Sequence, residues 1–466
     1  MSGADGGPLA IVLAAGLGTR MRSRRPKVLH PVCGRPMLAH VLDAARAVGS
    51  RPPLVVYSPA TAAIRDAFEG RAQFALQAET LGTADALRAA LQVAPSDVDE
   101  CVVLSGDVPL LRPATVQRLV ALRRAAAATV AITVAHPPDP RGYGRVVRDP
   151  DGRVAGIVEE KDADPATRAV GEVNAALYAF DAAWVRARIG EIGPSPSTGE
   201  YYLTGLIAMA RAEGGSVVAL ELEDDGELAG VNDRVQLAAA EAQLRRRIVE
   251  AHMLAGVTML DPGSVLVDAD VEIAPDVVLE PGVVLQGRTR IGTDTVVGSG
   301  SRIVDSVVGE RCRIWSSVIE SSEVGDDVRV GPWAHLRPGA SVGDRAEVGN
   351  FAEIKSSRLG PGSKQHHFSY LGDATIGEHV NIGAGTITCN FDGTAKHPTT
   401  IGDGAFIGSD TMLVAPVTVG PGARTGAGSV VTHDVPPGML AVGVPARLRH
   451  PRVPAPHEPE DPGPTA

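Results

Sequence analysis

The stretch Val324–Ile354 reads VGDDVRVGPWAHLRPGASVGDRAEVGNFAEI and places an aliphatic residue at every sixth position. These positions, and those that repeat the spacing elsewhere, are Val324, Val330, Leu336, Val342, Val348, Ile354, Ile291, Val297, Ile303, Ile401, Ile407, Leu413 and Val419. A helix repeats at about 3.6 residues and a strand at about 2, whereas a coil of short strands turning a corner every six residues repeats at six. A β-sandwich is the alternative, but its turn spacing drifts. The period predicts a parallel β-helix over residues 257–446.

The composition limits the class of protein. The 466 residues include 53 Gly and only 3% aromatic residues, which suits a narrow solenoid interior packed with aliphatic side chains. The formal net charge of -11 argues against a nucleic acid or a membrane surface as a partner. The cysteines Cys33, Cys101, Cys312 and Cys389 form no CxxC pair, which indicates reduced thiols in a cytoplasmic protein. No apolar run is long enough to predict a membrane span.

Before the repeat, residues 8–233 alternate apolar runs with Ala/Leu-rich stretches, which predicts an α/β domain with a Rossmann-like sheet. Four apolar runs are predicted as buried parallel strands: Leu9–Leu13, Leu54–Val56, Cys101–Leu104 and Val130–Val134. Residues 234–256 lack Pro and are predicted as a linker helix closed by a glycine. Residues 1–7 and the Pro-rich segment 447–466 are predicted to be disordered.

A glycine-containing loop follows the first predicted strand and reads AAGLGTRM from Ala14, with Pro26-Lys27 shortly after. Backbone N–H groups in such a loop can bind an anion. The loop has neither the third glycine of a dinucleotide-binding fingerprint nor the GxxxxGK[ST] of a P-loop. Arg20 and Lys27 are placed to neutralise a triphosphate as charge moves onto leaving pyrophosphate, and a solvated basic run is the alternative interpretation.

A carboxylate follows another predicted strand, in Ser105-Gly106-Asp107. Open α/β sheets bind ligands at the carboxyl ends of their strands, and a carboxylate there can hold Mg²⁺ against phosphates. An Asp after a strand is also commonly a turn residue or a helix cap. Asp107 is therefore a candidate metal ligand that needs support from its surroundings.

Several motifs occur in one order: LxxGxGTRM, Pro26-Lys27, Leu81-Gly82-Thr83, Gly106-Asp107 and Gly142-Tyr143-Gly144-Arg145. Together they resemble a sugar-nucleotide pyrophosphorylase. With a helix and a hexapeptide β-helix following, the chain resembles the bacterial family that joins N-acetylglucosamine-1-phosphate uridyltransferase to glucosamine-1-phosphate N-acetyltransferase, over about 9–445. The resemblance implies left-handed coiling, a homotrimer through the β-helix, Mg²⁺ as cofactor, and acetyl-CoA and UTP as co-substrates.

The resemblance also implies roles in the first site. The residues implied around nucleotide and sugar are Leu13, Ala14, Ala15, Gly16, Lys27, Gln77, Gly82, Thr83, Gly144, Glu159, Asn174 and Asn232. Arg20 and Lys27 are implied in catalysis, and Asp107 and Asn232 in metal binding, although Asn232 also suits a helix cap. The chain departs from the family pattern at four positions: Ser105 in place of a common Tyr, Ala84-Asp85 in place of Gly-His, and Gly205 in place of Asp.

Two stretches break the period of six, 362–373 and 381–393, and such breaks are where a solenoid carries functional loops. The first contains His366-His367. Acetyl transfer to an amine requires a base for the proton lost during attack, and His has an ordinary pKa near the operating pH. The family has its His three residues before the Tyr that corresponds to Tyr370, so the resemblance selects His367 as the base.

Further roles in the β-helix also come from the resemblance. For the acetyl acceptor it implies Arg337, Lys355, Tyr370, Asn381 and Lys396, and for acetyl-CoA it implies Ala384, Asn390, Phe391, Ser409 and Ala427. Exposed charge on a β-helix face is the alternative interpretation of Arg337 and Lys355. Phe391 stands where Tyr is usual. The family's basic residue near the last coil has no clear counterpart, and Arg447 or Arg449 would substitute only if the tail folds back.

These features predict a cytoplasmic enzyme with two activities, a UDP-N-acetylglucosamine diphosphorylase and a glucosamine-1-phosphate N-acetyltransferase. One alternative is a monofunctional sugar-nucleotide pyrophosphorylase whose β-helix is structural or regulatory, and His367, Asn390 and Lys396 argue against it. A catalytically silent scaffold is another alternative, and Arg20 and Lys27 argue against that one, as does Asp107.

Overall fold

The structure, a computed structural model, describes residues 7–450, and the predictions for residues 1–6 and 451–466 lie outside that range. Its contacts form two compact units, and the boundary between them falls between Leu244 and Arg245. That boundary lies within the helix Arg234–Leu254, inside the segment predicted as a linker. None of the helices in the described range combines the length and apolar composition that crossing a membrane requires.

The first unit is built on a mixed nine-stranded sheet with a small separate hairpin, β2–β3. The strands in chain order are β1 (Leu9–Leu13), β2 (Pro31–Val32), β3 (Arg35–Pro36), β4 (Leu54–Tyr57), β5 (Gln73–Leu76), β6 (Glu100–Ser105), β7 (Val130–Ala135), β8 (Arg145–Arg148), β9 (Val154–Val158), β10 (Val173–Asp181) and β11 (Val217–Glu221). The order across the sheet is β11-β7-β10-β6-β1-β4-β5, with β8 and β9 attached through β10.

Helices cover both faces of this sheet. The helices in chain order are α1 (Met37–Arg46), α2 (Ala63–Ala67), α3 (Thr83–Val93), α4 (Pro113–Ala125), α5 (Pro165–Arg168), α6 (Ala182–Arg188), α7 (Gly205–Ala212) and α8 (Arg234–Leu254), with 3₁₀ turns at Thr19–Met21, Lys27–Leu29, Pro59–Thr61, Ile189–Glu191 and Asp225–Leu228. Of these, α3, α6 and α7 cover one face and α1, α2 and α4 cover the other. In β1, Ile11 packs on the side of α3 and α7, and Val12 packs on the side of α1 and α4. Burial on both faces explains why the strands are continuous apolar runs.

The four predicted strands are confirmed, but the sheet is not wholly parallel. Strands β1, β4, β5 and β6 run parallel, and β7 runs parallel to β11. Strand β10, which the sequence analysis missed, lies between β6 and β7 and is antiparallel to both. A parallel partner needs a crossover connection, whereas the chain leaves β7 through the antiparallel hairpin β8–β9.

The second unit is a left-handed parallel β-helix with three faces, each gaining one strand per coil. Face 1 contains Thr258–Met259, Val278–Leu279, Val296–Val297, Arg313–Ile314, Arg329–Val330, Glu347–Val348, Lys364–Gln365, Asn381–Ile382, Phe406–Ile407, Arg424–Thr425, Leu440–Val442 and Arg447–Arg449. Face 2 contains Leu266–Val267, Val284–Gln286, Arg302–Val304, Val318–Glu320, His335–Leu336, Ala352–Lys355, Ser369–Gly372, Ile387–Cys389, Met412–Val414 and Val430–Val431. Face 3 contains Glu272–Ile273, Arg290–Ile291, Val307–Val308, Glu323–Val324, Ser341–Val342, Arg358–Leu359, Ala374–Ile376, Thr399–Ile401 and Val417–Val419.

Every aliphatic position singled out by the period of six is buried in the β-helix interior. The glycines that follow many of them have a steric reason. A Cβ added at Gly309 would lie 2.7 Å from the carbonyl carbon of Gly325 in the next coil. The Val-Gly and Ile-Gly pairs therefore combine an interior side chain with a corner too tight for any other residue.

Of the two predicted breaks, only the second is a loop. The first continues the coil through Lys364–Gln365 on face 1 and Ser369–Gly372 on face 2. The period was lost there because a polar residue, Gln365, occupies the interior position, where its Nε2 donates to Ser369 Oγ over 2.9 Å. The second, predicted at 381–393, starts later than predicted: Asn381–Ile382 and Ile387–Cys389 continue the coil, and the chain forms a loop at residues 390–398, before Thr399–Ile401.

The β-helix ends later than predicted. Arg447–Arg449 folds back as a strand antiparallel to Leu440–Val442. The prediction of disorder from residue 447 onward is therefore wrong for these three residues. Without this segment, the strand Leu440–Val442 would have unpaired backbone groups at the edge of face 1, and Arg447–Arg449 pairs with them although its side chains are exposed.

Candidate active sites

The loop after β1 forms one wall of a cavity of about 410 Å³. Ala14 N donates to Val56 O over 2.9 Å and Ser58 Oγ donates to Ala15 O over 2.9 Å, so the loop crosses the carboxyl ends of β1 and β4. The predicted residues that line the cavity are Leu13, Ala14, Ala15, Gly16, Lys27, Gln77, Gly82, Thr83 and Asp107. Its volume lies in the range of small-molecule sites.

A polar cluster forms at this cavity from residues far apart in the sequence. The Lys27 ammonium makes an ion pair with Asp107 and donates to Asn232 Oδ1 over 3.0 Å. Ser105 Oγ donates to Asp107 Oδ1 over 2.6 Å. The Lys27 and Asp107 side chains are only 12% and 18% exposed, which weakens screening of their charges by water.

The same cluster fits a divalent cation. Carboxylate and amide oxygens of Asp107 and Asn232 already converge on a positive group, the Lys27 ammonium. Mg²⁺ prefers such hard oxygen ligands and is usually held by one or two of them, together with water and substrate phosphates. Asp107 and Asn232 thus supply a donor set of the right chemistry.

Arg20 is placed differently from the other predicted residues. It is exposed in the turn Thr19–Met21 and is absent from the lining of the nucleotide cavity. Its role in catalysis remains a prediction.

A second cavity of about 250 Å³ shares Leu13, Thr83 and Ser105 with the first. The predicted sugar-facing residues Gly144, Glu159 and Asn174 all line it. Glu159 Oε1 accepts a hydrogen bond from Thr204 Oγ1 over 2.9 Å, and burial raises the pKa of Glu159. Asn174 lies at a β-bulge in β10, a device that redirects a side chain from the regular pleat.

The sequence analysis assigned no role to the segment Tyr201–Thr204. Ala84 N donates to Tyr201 O over 2.8 Å, and Tyr202 and Thr204 line the second cavity. Gly82 has φ +122°, and a Cβ there would lie 2.5 Å from Tyr201 O. This segment reaches the site from more than a hundred residues away, so no local spacing could have shown it.

In the β-helix, the predicted base and the predicted acetyl-CoA residues share one corner. The register Gln365–Ile382–Ile407 places His367, Ala384 and Ser409 at equivalent positions of successive coils. Asp410 N donates to Ala384 O over 2.6 Å and Gly428 N donates to Ser409 O over 2.8 Å, which extends the line to Ala427. Strands of neighbouring coils lie about 4.8 Å apart, so the four residues form a straight track.

The two histidines of the doublet have different surroundings. His366 Nε2 lies 3.1 Å from Glu347 Oε2. His367 is exposed, with φ +66°, and its ring makes no hydrogen bond within residues 7–450. His366 is therefore engaged by a carboxylate, while the imidazole of His367 is open to a ligand.

Cations gather at the opposite edge of face 2. Arg337 follows the strand His335–Leu336 and Lys355 ends the neighbouring strand, with Arg337 N donating to Ile354 O over 2.8 Å. Arg337 Nη1 donates to Glu353 Oε1 over 2.7 Å. The neighbouring Lys396 lowers the pKa of Lys355, first through a hydrogen bond between the two amino groups and then through the repulsion of like charges. An anion such as a phosphate would relieve that repulsion.

Lys396 reaches this position on the loop of residues 390–398. The Asp392 carboxylate accepts hydrogen bonds from Thr394 N and Ala395 N over 2.7 and 2.8 Å and pairs with His397 over 2.6 Å. These contacts hold the pKa of Asp392 well below its usual range. The loop also carries Phe391, which is 60% exposed, and it begins at Asn390, which is buried and donates to Asp373 Oδ2.

Comparisons with known proteins agree with this division. Residues 10–163 match the MobA-like NTP transferase domain, and residues 321–356 and 398–433 match the bacterial transferase hexapeptide repeat. The bifunctional protein GlmU of Heliobacterium modesticaldum is 50% identical over 433 residues, covering 93% of this chain and 94% of that protein. The bifunctional protein GlmU of Kineococcus radiotolerans is 49% identical over 438 residues, covering 93% of this chain and 89% of that protein.

The chain belongs to the GlmU family. Because the match spans both units, the chain is a bifunctional transferase with an NTP transferase half and a hexapeptide transferase half.

The structure shows the contacts of the residues at which this chain departs from the GlmU pattern. The Ser105 hydroxyl holds Asp107, and Asp85 accepts a hydrogen bond from Gln77 Nε2 over 2.7 Å. Gly205 begins α7, and a Cβ added there would lie 3.1 Å from Ile192 Cδ1. Phe391 keeps an exposed ring on the loop that carries Lys396.

Tyr370 lies on face 2 in register with Glu353, between the corner with His367 and the edge with Lys355. A Cβ added at Gly372 would lie 2.6 Å from Tyr370 Cζ, so the ring runs along its own strand over Gly372. Asn381, the remaining predicted acceptor residue, is half-buried on face 1.

Gly372→Ala should therefore displace the Tyr370 ring and raise the KM of acetyl transfer about tenfold, the scale of one lost substrate contact. Steady-state kinetics with the amine acceptor varied would measure it. Gly263→Ala is the matched control, because a Cβ there meets only an ordinary contact. Equal KM values in the two variants would contradict the placement of Tyr370 in the acceptor site.

Proposed function

We propose that the chain makes UDP-N-acetylglucosamine in two steps. The unit that contains residues 257–446 transfers an acetyl group from acetyl-CoA to glucosamine-1-phosphate. The unit that contains residues 8–233 then joins N-acetylglucosamine-1-phosphate to the uridylyl group of UTP and releases pyrophosphate.

One observation carries the assignment of two activities rather than one. His367, Ala384, Ser409 and Ala427 form a single track on one corner of the β-helix, while the cations lie at the other edge of face 2. A β-helix that served only as a structural support would need neither the track nor Lys396 beside Lys355. The arrangement supports acetyl transfer over the alternative of a monofunctional pyrophosphorylase.

In the acetyl transfer, Arg337, Lys355 and Lys396 bind the phosphate of the amino sugar, with Asn381 and Tyr370 on the sugar. The amine nitrogen attacks the thioester carbonyl while His367 accepts its proton. A C–N bond forms, the C–S bond breaks, and the imidazolium returns the proton to the departing thiolate. Ala384, Ser409 and Ala427 are small side chains that leave room for the pantetheine arm, with Asn390 and Phe391 beside them.

In the uridylyl transfer, the sugar phosphate attacks the α-phosphorus of UTP in line with the leaving pyrophosphate. This step needs positioning and charge neutralisation more than a protein base. Lys27 and Arg20 supply positive charge, and backbone N–H groups of the loop after β1 approach the phosphates. Gln77, Gly82 and Thr83 bind the nucleoside, and Gly144, Glu159 and Asn174 bind the sugar.

We propose that Asp107 and Asn232 hold Mg²⁺ during this reaction. Bound there, the ion would neutralise phosphate charge as a Lewis acid. Ser105 would keep the Asp107 carboxylate aimed at the site, since its hydroxyl donates to Oδ1.

Two separate assays on the purified protein test the proposal. One measures CoA release with glucosamine-1-phosphate, and the other measures pyrophosphate release from UTP with N-acetylglucosamine-1-phosphate. Activity in both is expected. Pyrophosphate release alone would favour the monofunctional alternative, and activity in neither would favour a scaffold.

We also propose a cytoplasmic homotrimer assembled through the β-helix. Support for an interface comes from Trp333 and Phe351, which are 60% and 57% exposed and stack with their ring centroids 5.3 Å apart. Support for a reducing compartment comes from the buried thiols of Cys101 and Cys312.

A fragment that ends after Leu244 should keep uridylyl transfer and sediment as a monomer, because it lacks the β-helix. The cut belongs there rather than at Arg234, since Glu241 Oε2 accepts a hydrogen bond from Cys33 N over 2.7 Å. Analytical ultracentrifugation beside the full chain would measure the assembly. A fragment that remains trimeric would contradict the proposed interface.

A further inference from the structure

The side chain of Gln77 is held from two directions at the wall of the nucleotide cavity. Gln77 is only 3% exposed, and its backbone N donates to Tyr57 O over 2.8 Å. Its Nε2 donates to Asp85 Oδ2 over 2.7 Å and to Gly82 O over 3.1 Å. Asp85 lies in the first turn of α3 and is itself held by an ion pair with Arg88.

These contacts decide which way the amide faces. Nε2 carries two hydrogens, and both have an acceptor. The reversed amide would bring Oε1 against a carboxylate and a carbonyl, leaving several acceptors facing one another without a proton. Because Gln77 lines the cavity and its Oε1 has no donor among residues 7–450, Oε1 is the amide atom left for a ligand.

An atom that only accepts hydrogen bonds distinguishes pyrimidine bases. Uracil presents N3–H, a donor, whereas cytosine presents an N3 that lacks hydrogen and is an acceptor. Oε1 of Gln77 can accept from the first and is repelled by the second. A site built to form a hydrogen bond strongly rejects an analogue that cannot form it.

We propose that Asp85 is a positioning residue that makes the nucleotide site select uracil over cytosine by fixing the orientation of the Gln77 amide. The inference rests on the proposed use of UTP and adds a determinant of base specificity. It concerns a residue at which this chain departs from the family pattern of Gly-His, so it is a property of this chain's own sequence.

The test is the ratio of kcat/KM for UTP to that for CTP in pyrophosphate release by the full chain. In Asp85→Asn, the new amide can either accept from Gln77 Nε2 or donate to Gln77 Oε1, so only the Gly82 carbonyl still opposes the reversed amide. The ratio should fall at least about tenfold. The ratio of kcat/KM for UTP to that for dTTP should stay unchanged, because both bases carry N3–H. A merely structural defect would not change the UTP to CTP ratio while leaving the UTP to dTTP ratio unchanged.

Asp66→Asn is the matched control, because Asp66 is also a carboxylate in the first turn of a helix but is exposed and outside the cavity lining. Acetyl transfer by each variant reports folding. If the wild-type protein prefers UTP and Asp85→Asn shows the same ratio of UTP to CTP, the role of Asp85 is overturned and the proposed function stands. A wild-type protein that releases no pyrophosphate from UTP would overturn the proposed function and this inference together.

Discussion

His367→Ala should lower kcat for acetyl transfer by about 10²-fold or more, the scale of general-base catalysis. The structure favours His367 over its neighbour because its exposed ring makes no hydrogen bond within residues 7–450, whereas His366 is engaged by Glu347 over 3.1 Å. Release of CoA at saturating glucosamine-1-phosphate and acetyl-CoA would measure the effect.

His366→Ala is the matched control and should change kcat little. The ion pair that it removes is partly exposed, and such pairs contribute only about 0–1 kcal/mol to stability. His367 has φ +66°, a conformation that alanine adopts less readily than asparagine, so His367→Asn is a second test that preserves the backbone without supplying a base. Uridylyl transfer reports folding in every variant. If His366→Ala is the slower enzyme, the assignment of the base is wrong even if both activities are present.

Asp107→Asn should reduce pyrophosphate release by at least about 10²-fold and leave acetyl transfer nearly unchanged. The substitution removes the negative charge of Asp107, the only one among the oxygens of Asp107 and Asn232. A bound metal ion lowers the activation free energy by several kcal/mol, and about 1.4 kcal/mol corresponds to a tenfold change in rate. Pyrophosphate release and calorimetric titration with Mg²⁺ in the presence of UTP would measure it.

Asp139→Asn is the matched control, since Asp139 is an exposed carboxylate of the same unit that is paired with Arg141. A folded Asp107→Asn variant that loses both activities equally would sink the idea that the two sites work independently. A variant that loses neither would remove Asp107 from the proposed metal site.

Local patterns indicated only part of the first candidate site, the loop after β1 and Asp107, and the family resemblance supplied the other residues. The loop after Leu9–Leu13 and the turn after Glu100–Ser105 both lie at the same sheet edge, and there Lys27 makes an ion pair with Asp107. The segment Tyr201–Thr204 was missed because it enters through tertiary packing against Gly82. The position of Arg20 outside the cavity lining was also beyond the reach of spacing arguments.

In the β-helix, one prediction failed because a period reports side-chain polarity rather than backbone path. Gln365 interrupts the aliphatic pattern without interrupting the coil, since a hydrogen bond to Ser369 Oγ satisfies its Nε2. The loop of residues 390–398 interrupts both, because the chain leaves the coil there.

Although strand β10 was missed, the amino-acid sequence was sufficient to predict a parallel β-helix and an α/β domain, because a hexapeptide period suits a coil of short strands and alternating apolar runs and Ala/Leu-rich stretches suit layers of strands and helices. It also determined which residues carry charge and chemistry. Which of these residues meet becomes visible in three dimensions: Lys27 pairs with Asn232, His367 aligns with Ala427, and Asp85 orients the Gln77 amide. Such contacts depend on the register between coils and on packing between distant segments, and neither leaves a mark in local spacing.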